Sequence, residues 1–441
     1  MLTQSLPFDS GNPDDALRQL PSRKAVFALY GENEAAEPYI GVTPDLRRRL
    51  ERLLRPAKGQ TKRLQLVSRV RRIAWQLTGS EFESLLVQFS LMEQVYGAKA
   101  LERMHLRAPA FVKFHGGNPY PRLTVTNRAI PRSGQKESQW VFGPFPSRAA
   151  AERYSEELLK LFLLRRCEDN LSPYPEHPGC VYGEMKMCLA PCQQRCTDAR
   201  YAEEAEAVRD FLATGGASKV IQIRELRDRA SEELEFETAA KLHAQLEKIE
   251  SVRILASELV RPLNALRACV IQLSADPDEV SVFLYDGGEW RGPARFSILG
   301  MRIQNEQSGS SSLYAQPMAI QPVPESDSPG AVRAARDFLE TRMQAAIDSL
   351  SSRQNSPQGL TNSTIRQGHL ALLTRWYYRP QQKRVGEVFF PVPVSDLRWP
   401  LKAMLRGVGR VVAANLPRPA PAPPDSAQPL SPAGTLELSG N

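Results

Sequence analysis

The distribution of cysteine constrains this chain more than any other feature. Five of the six cysteines lie between Cys167 and Cys196, no cysteine precedes them, and the first four are spaced C-x12-C-x7-C-x3-C. Thiolates grouped in this way usually share a metal, because sulfur is a soft ligand that suits zinc and iron–sulfur clusters. A disulfide framework, which needs an oxidising compartment, and unrelated buried thiols are the competing interpretations. Spacing alone does not separate zinc from an iron–sulfur cluster, because both accept four cysteines.

Composition and the N-terminus favour a cytoplasmic protein. The first residues, MLTQSLPFDSGNPDD, lack the basic start and apolar core of a signal peptide. No apolar run approaches the length that crosses a bilayer, so we expect no membrane partner. A length of 441 residues predicts two to four domains. The net charge of +8 favours a polyanionic partner without identifying one.

The residues around the cysteines carry a resemblance to a known family. Gly143-Pro144-Phe145, the Arg-Arg-Cys that ends at Cys167 and Ala190-Pro191-Cys192 occur in the order and at the spacing of the central part of UvrC, the nuclease subunit of bacterial nucleotide excision repair. In that family the four cysteines are associated with a [4Fe–4S] cluster. The resemblance therefore implies a cluster, with zinc as the alternative, at Cys167, Cys180, Cys188 and Cys192. Cys196 lies outside the pattern, as a spare thiol or a substitute ligand.

The N-terminal region predicts a small α/β unit. Residues 1–22 are polar and contain Pro7, Gly11 and Pro13, which indicates a loose leader. The runs 24–30 and 38–41 predict a β-hairpin, and PDLRRRLERLL predicts a helix that begins near Asp45. This opening resembles the GIY-YIG nuclease domain at the front of UvrC, and TGSEFESLLVQ (78–88) and NPYPRLTVTN (118–127) resemble its later helix and strand.

The nuclease resemblance is incomplete at the positions that carry chemistry. Tyr39 begins an intact YIG triplet, and Tyr39 and Arg49 fall on the family's catalytic tyrosine and arginine. Phe27 replaces the first tyrosine, Val42 replaces the lysine after YIG, and Gln88 replaces the glutamate that holds the divalent metal. The asparagine expected some dozen residues later has no counterpart in VYGAKALERM.

Losing the carboxylate matters because Mg²⁺ or Mn²⁺ needs charged oxygen ligands to stabilise the charge that builds up on the phosphate. Gln88 supplies a dipole without a charge. We therefore expect a degenerate nuclease site, with Mg²⁺ or Mn²⁺ required only if the site is active. The alternative is an active single-incision DNA endonuclease that uses a shifted ligand, Glu81 or Glu83.

A basic run favours DNA binding. Between Arg47 and Arg72 stand eleven Lys or Arg residues and one acid, Glu51. Like charges repel, so this imbalance favours a phosphate backbone over a solvated face. The expected contacts to double-stranded, damaged DNA are Arg47, Arg48, Arg52, Lys62, Arg63, Arg69, Arg71 and Arg72.

The region after the cysteines predicts an antiparallel helical hairpin. Apolar residues recur at helical spacing on both sides of Glu235. ELEFETAAKLHAQLEKI resembles the UVR motif, which in UvrC binds the matching hairpin of UvrB. The resemblance implies a UvrB-like partner that contacts Leu234, Phe236, Ala239 and Ala240.

The C-terminal region predicts mixed structure. Residues 265–300 alternate apolar and polar positions and indicate a β-meander that turns at Asp286-Gly287-Gly288. Residues 331–350 predict a helix, and residues 369–394 an isolated helix and strand. No RNase H-like site or helix-hairpin-helix motif is recognisable. The fold class expected is α+β and multidomain, with a leader (1–22), a GIY-YIG-like domain (23–128), a linker helix with the cysteine segment (129–218), a UVR-like hairpin (219–256), an α/β remnant of the UvrC C-terminal half (257–415) and a disordered tail (416–441).

Overall fold

A computed structural model gives the fold of the chain. It describes residues 2–33, 36–55, 66–128, 139–168, 170–299, 301–304, 319–322, 329–352, 363–392 and 398–414. Helices and antiparallel sheets alternate through these ranges, which confirms the α+β multidomain prediction. Lys62, Arg63 and the tail expected from residue 416 lie outside the described residues.

The first sheet has the strand order β1-β4-β2-β3, and its neighbouring strands are antiparallel. The predicted hairpin of β2 and β3 is confirmed. Helices α1 and α2 pack their apolar residues on one face of this sheet, and α4 contacts β2 and β3. The strands and helices of this unit are β1 (Gln4–Pro7), α1 (Pro13–Gln19), β2 (Ala25–Tyr30), β3 (Tyr39–Thr43), α2 (Leu46–Leu54), α3 (Leu66–Arg69), β4 (Arg72–Leu77), α4 (Glu81–Tyr96) and α5 (Ala100–Arg103).

The polar start of the chain is part of this unit, contrary to the expectation of a loose leader. Strand β1 pairs with β4, and Phe8, Leu17 and Leu20 are buried in the core of the sheet. The leader prediction failed because one short strand gains its hydrogen bonds only from a partner some seventy positions away, which local composition does not reveal.

The second sheet has the order β6-β5-β7-β8. Strands β5 and β6, which we expected in the GIY-YIG-like domain, pair with β7 instead. Strand pairing thus joins the end of the expected GIY-YIG-like domain (23–128) to β7 of the following region. The strands of this sheet are β5 (Ala110–His115), β6 (Leu123–Thr126), β7 (Gln139–Phe145) and β8 (Arg261–Pro262).

Five helices accompany the second sheet. The last two form the predicted antiparallel hairpin, joined by a turn that includes Glu235. The base of this hairpin packs with α6, α8 and the sheet in one apolar core. The helices are α6 (Arg148–Leu158), α7 (Val181–Glu184), α8 (Asp198–Thr214), α9 (Ala217–Glu232) and α10 (Phe236–Arg253).

The third sheet has the order β11-β10-β9-β14, and its first three strands confirm the predicted meander. The helix and strand that we expected to be isolated are not, because β14 pairs with β9 and α12 packs against α4 and the sheet. The elements are β9 (Ala268–Leu273), β10 (Glu279–Asp286), β11 (Glu289–Ser297), β12 (Met301–Gln304), β13 (Ala319–Pro322), α11 (Pro329–Ser351), α12 (Ser363–Tyr377), β14 (Glu387–Phe389) and α13 (Leu401–Ala413), with β12 and β13 forming a separate ribbon.

Helix α4 joins the first sheet to the third. The ring of Phe82 lies within 5.3 Å of the ring centroids of Phe283, Trp290 and Trp376. A Cβ atom at Gly79 would lie 2.1 Å from the backbone of Ser274. The start of α4 therefore packs closely against the third sheet in the C-terminal part of the protein.

Candidate functional site

The nuclease-like surface begins at strand β3. Tyr39 is 38% exposed, and its ring lies 6.1 Å from that of the fully buried Phe27. Phe27 also covers Gly41, its partner across the strand pair, where an added Cβ would lie 2.6 Å from the Phe27 ring. The glycine of the YIG triplet is thus required by the packing of Phe27, and Phe27 brings no hydroxyl to the surface.

The other sequence-predicted nuclease positions lie on two different helices. Arg49 is half-buried on α2, which begins where the carboxylate of Asp45 accepts a hydrogen bond from the backbone of Arg48. Gln88 is half-buried on α4. Within the ranges that the structure describes, no hydrogen bond or ion pair connects Tyr39, Arg49 and Gln88 with one another.

The two carboxylates that could replace a metal ligand are engaged by arginines. The side chain of Glu83 is fully buried, accepts a hydrogen bond from Gly79 N at 2.8 Å and pairs with Arg295 at 3.0 Å. Burial raises the pKa of Glu83, against the lowering effect of Gly79 and Arg295. Glu81 forms two hydrogen bonds of 2.7 and 2.8 Å with Arg379, which lowers the pKa of Glu81.

The basic run divides into structural and exposed residues. Arg47 donates to Leu20 O at 2.6 Å and to Arg18 O at 3.1 Å, and so ties α2 to α1. Arg71 donates to the Ser68 and Val70 carbonyls, and the guanidinium of Arg72 lies 4.0 Å above the ring of Tyr30. The exposed members that the structure describes are Arg48, Arg52, Arg55, Arg69 and Arg71, and Arg55 pairs with Asp14 and Glu51.

The cysteine segment is a long loop held by backbone hydrogen bonds. Tyr174 N donates to Cys192 O at 3.1 Å, and Leu189 N donates to Leu163 O at 3.0 Å. All six cysteines are free thiols, and Cys192 is buried. The left-handed backbone of Ala190, with φ of 49°, leads into a 3-10 turn that carries Cys192.

The first four cysteines of the segment interact electrostatically. Burial is the largest cause of a rise in the pKa of Cys188 to about 11; the neighbouring Cys167, Cys180 and Cys192 add to the rise, and a hydrogen bond from Ala190 N opposes it. For Cys196 burial is also the largest cause of a raised pKa. Among the described residues, no group of three or more His, Cys, Asp or Glu side chains has an arrangement ready to hold a metal ion.

The electrostatic effect on Cys188 requires only that the four thiols lie in the same region. A single tetrahedral zinc ion instead requires sulfurs about 3.8 Å apart, given Zn–S bonds of about 2.3 Å. The four cysteines of a [4Fe–4S] cluster bind four different irons and stay farther apart. The four thiols that influence one another are those of the sequence pattern.

Arg165 is a component of this site that we did not predict. It is 1% exposed, and its Nη1 lies 3.5 Å from Cys167 Sγ and 3.3 Å from Cys167 O. Its Nε donates to Tyr120 O at 2.9 Å, and its backbone N–H donates to Tyr201 Oη at 3.0 Å. The Arg-Arg-Cys triplet marked the position, but sequence does not tell which of two adjacent arginines is buried.

The helical hairpin separates into a buried base and an exposed tip. Leu246 and Ile249 are buried in the core of the second sheet. Leu234 is 70% exposed and Phe236 67% exposed, and Ala240 is exposed beside them. Ala239 is half-buried. The predicted partner-binding residues therefore lie together where the hairpin projects from the protein.

Fold and sites define a multidomain α+β protein with a cysteine-rich central loop and a projecting helical hairpin. Residues 120–211 match the family model described as UvrC/Cho excinuclease, middle domain, and residues 217–252 match the UvrB/uvrC motif. The chain is similar to the UvrABC system protein C of Hyphomonas neptunium, with 30% identity over 292 residues that cover 64% of this chain and 45% of the relative. It is also similar to that of Hydrogenovibrio crunogenus, with 24% identity over 365 residues that cover 82% of this chain and 57% of the relative.

These matches support a UvrC-like family through the middle domain and the UvrB/uvrC motif. The chain spans about half the length of the curated relatives it matches. No solved structure matches the protein. Among the helices of the described ranges, none combines the length and the apolar character needed to cross a membrane.

Proposed function

We propose that this protein is a UvrC-like nucleotide excision repair factor that binds double-stranded DNA and a UvrB-like partner, and that its GIY-YIG-like domain is catalytically degenerate. The observation that carries the proposal is the exposed apolar tip of the hairpin that matches the UvrB/uvrC motif. Exposed leucine and phenylalanine side chains at the end of a projecting hairpin are costly to leave in water unless a partner covers them.

The partner proposed for the tip is a second amphipathic hairpin of UvrB type. Such a hairpin would bury Leu234 and Phe236 between apolar side chains, as helices do when their apolar faces interlock. The base of the hairpin stays in the protein core through Leu246 and Ile249, so the tip can be covered without any change in the fold.

A binding measurement tests this proposal. The protein and a UvrB-like protein are titrated by calorimetry, with the variant Leu234→Ala/Phe236→Ala as the test. Truncating a buried aromatic anchor typically costs about 2 kcal/mol or more, so the variant should bind about 30-fold more weakly or worse. Ile221→Ala is the matched control, because Ile221 is a 56% exposed apolar residue on the same hairpin but away from its tip. Equal affinity for the tip variant and wild type would refute the proposal.

The degenerate nuclease site is supported by what surrounds the missing metal ligand. Gln88 carries no charge, and the two replacements expected from sequence, Glu81 and Glu83, are already paired with Arg379 and Arg295. A carboxylate that is paired with a guanidinium is a poor metal ligand, because metal binding would leave the arginine without its partner carboxylate. These ion pairs count against the alternative of an active endonuclease with a shifted ligand.

The cofactor proposed is a [4Fe–4S] cluster held by Cys167, Cys180, Cys188 and Cys192, with zinc as the alternative. The support is the shared neighbourhood of the four thiols and the hydrogen bond from Ala190 N to Cys188 Sγ, at 3.3 Å. Hydrogen bonds to sulfur are among the features that tune such clusters. A bound cluster would cross-link a loop that has little apolar core of its own.

The DNA contact proposed is electrostatic and is centred on the exposed part of the basic run. Arg48, Arg52 and Arg69 are exposed, and Arg52 donates to the Arg48 carbonyl of its own helix at 3.4 Å, whereas Arg47 is bound to α1. Phosphate contacts of this kind give affinity without base specificity.

A further inference from the structure

The second sheet has one apolar face and one polar face. Val112 and Phe114 of strand β5 pack into the core that the sheet shares with α6 and α8. Because alternate residues of a strand point to opposite faces, Lys113 and His115 lie on the other face. On that face Phe111 is buried against the C-terminal core, whereas Lys113 and His115 are half-buried. The polar face is therefore covered at one end and open to solvent beyond it.

Strand pairing brings two further polar residues to this face. Lys113 lies opposite Thr124 of β6, and Nε2 of His115 lies 2.8 Å from Thr124 Oγ1. The backbone N–H of His115 donates to Arg122 O at 3.0 Å, so Arg122 continues the pairing and shares the face of His115. Two cations thus lie beside a hydroxyl and an imidazole.

Two exposed arginines lie at one end of the same strand pair. Asn127 follows β6, and its Nδ2 donates at 3.3 Å to the carbonyl of Ala108, which precedes β5. This bond joins the two chain segments, and Arg107 and Arg128 are the next residues outward on them. Both arginine side chains are exposed. Cations are therefore present from one end of the strand pair to the other.

The charge of this face is not compensated within the part of the chain that the structure describes. Residues 103–136 contain seven Lys or Arg and no Asp or Glu. Four of the seven lie on the face or at its end and form no ion pair with any described residue: Arg107, Lys113, Arg122 and Arg128. Burial, followed by the charges of Lys113, Arg122 and Arg165, lowers the pKa of His115 to about 4. Like charges repel, so this arrangement weakens the fold unless an anion binds.

We propose that this polar face, together with the arginines at its end, is a second surface that binds the phosphate backbone of DNA, separate from the basic run of the first sheet. The inference rests on the proposed function, in which the protein binds double-stranded DNA. The cations attract phosphates, and a hydroxyl such as that of Thr124 donates the kind of hydrogen bond that positions them.

The same face favours a duplex backbone over unpaired bases. Single strands are bound largely by stacking of their bases on exposed aromatic rings. The aromatic ring that β5 contributes to this face belongs to Phe111, which is fully buried. Contacts from Lys, Arg and Thr to phosphates carry no base identity, so the surface should bind duplexes of any sequence.

Salt titrations of a fluorescent duplex test the inference. The two test variants are Lys113→Gln/Arg122→Gln and Arg107→Gln/Arg128→Gln, in which glutamine keeps part of the apolar stem. Each phosphate contact contributes about 0.9 to the slope of log affinity against log salt concentration, so each variant should reduce the slope by up to about 2. Arg153→Gln/Arg224→Gln is the matched control, because these exposed cations lie on α6 and α9, which pack on the apolar side of the sheet. The control should keep the wild-type slope.

An unchanged slope for both test variants, or an equal reduction in the control, overturns the inference. It fails alone if Arg48→Ala/Arg52→Ala still reduces the slope, whereas wild-type protein that binds no duplex refutes the proposed function as well. Weaker binding of a UvrB-like protein with unchanged DNA binding would assign the face to a protein partner and also overturn the inference.

A measurement on the wild-type protein does not depend on how the variants fold. Lysine acetylation is followed by mass spectrometry with and without duplex. Lys113 should be protected by the duplex, and the exposed Lys402 of α13 should not be. Equal labelling of Lys113 in both samples, or no labelling of Lys113 in the free protein, overturns the inference.

Discussion

Arg295 donates a hydrogen bond of 3.0 Å to Glu83 although 212 positions separate the two residues. The pair joins strand β11 of the C-terminal sheet to the first turn of helix α4. Helix α4 carries Gln88, where the sequence resemblance predicts a metal ligand, and the first turn of this helix is occupied by an interface within the chain. Phe82 and Gly79 extend the same interface.

Removing the Arg295 side chain should destabilise the protein in a pH-dependent way. Arg295→Ala leaves Glu83 buried without its cation, at a cost of about 1.5–3 kcal/mol at neutral pH. Burial already raises the pKa of Glu83 above its ordinary value of 4.5, so its contribution to stability falls as pH rises through the raised pKa. The variant raises that pKa further, so its deficit in unfolding free energy should grow as the pH rises above the ordinary carboxyl pKa.

Denaturant unfolding at several pH values checks this prediction, with Arg379→Ala as the control. The partner of Arg379, Glu81, has a side chain that is 60% exposed, so breaking that pair should cost about 0–1 kcal/mol. A deficit for Arg295→Ala that does not change with pH would contradict the assignment.

The nuclease-like domain should not incise DNA by itself under Mg²⁺ or Mn²⁺. Val42 and Gln88 replace charged groups, and each lost charge-stabilising contact typically costs about 10²–10³ in rate. Val42→Lys with Gln88→Glu should restore measurable nicking of damaged duplex if the fold is otherwise competent. Robust nicking by the wild-type protein that disappears in Tyr39→Phe or Arg49→Ala would show that the site is active with another ligand.

The exposed arginines of the basic run should carry the salt dependence of DNA binding. Each phosphate contact contributes about 0.9 to the slope of log affinity against log salt concentration, so Arg48→Ala/Arg52→Ala should reduce the slope by up to about 2. Titrations of a fluorescent duplex at several salt concentrations measure it. Lys402→Ala/Arg406→Ala, two exposed cations on helix α13, should leave the slope unchanged. A solvated face would give equal slopes for both variants.

The cysteine segment should contain iron and sulfide. Protein purified without oxygen should be brown and should bleach on reduction, and Cys188→Ala should remove the colour and lower the thermal stability of the segment. Cys196→Ala should keep the colour, because Cys196 lies outside the four-thiol group. Colourless wild-type protein with one zinc per chain would contradict the cluster.

The sequence by itself determined the local elements and the motif order. The hairpin of β2 and β3, the helix capped by Asp45 and the meander of β9 to β11 follow from short-range patterns that neighbouring residues enforce. The helical hairpin follows as well, because its period and its F-E-x-A-A sequence lie within one stretch of chain. The sequence alone also shows that Gln88 and Val42 stand where the resemblance predicts charged residues. Those charges are absent whatever the fold.

Only the tertiary structure decided which distant groups meet. Strand β1 belongs to the first sheet because it pairs with β4, and β5 belongs to the second sheet because it pairs with β7. Local sequence does not predict these pairings, because the hydrogen bonds join strands that are distant along the chain. The same holds for buried charges: Arg295 meets Glu83, and Arg165 rather than Arg166 faces Cys167. Burial depends on what the rest of the chain packs around a residue, and this is why sequence marked these arginines as cations without showing which carboxylate or thiol each would neutralise.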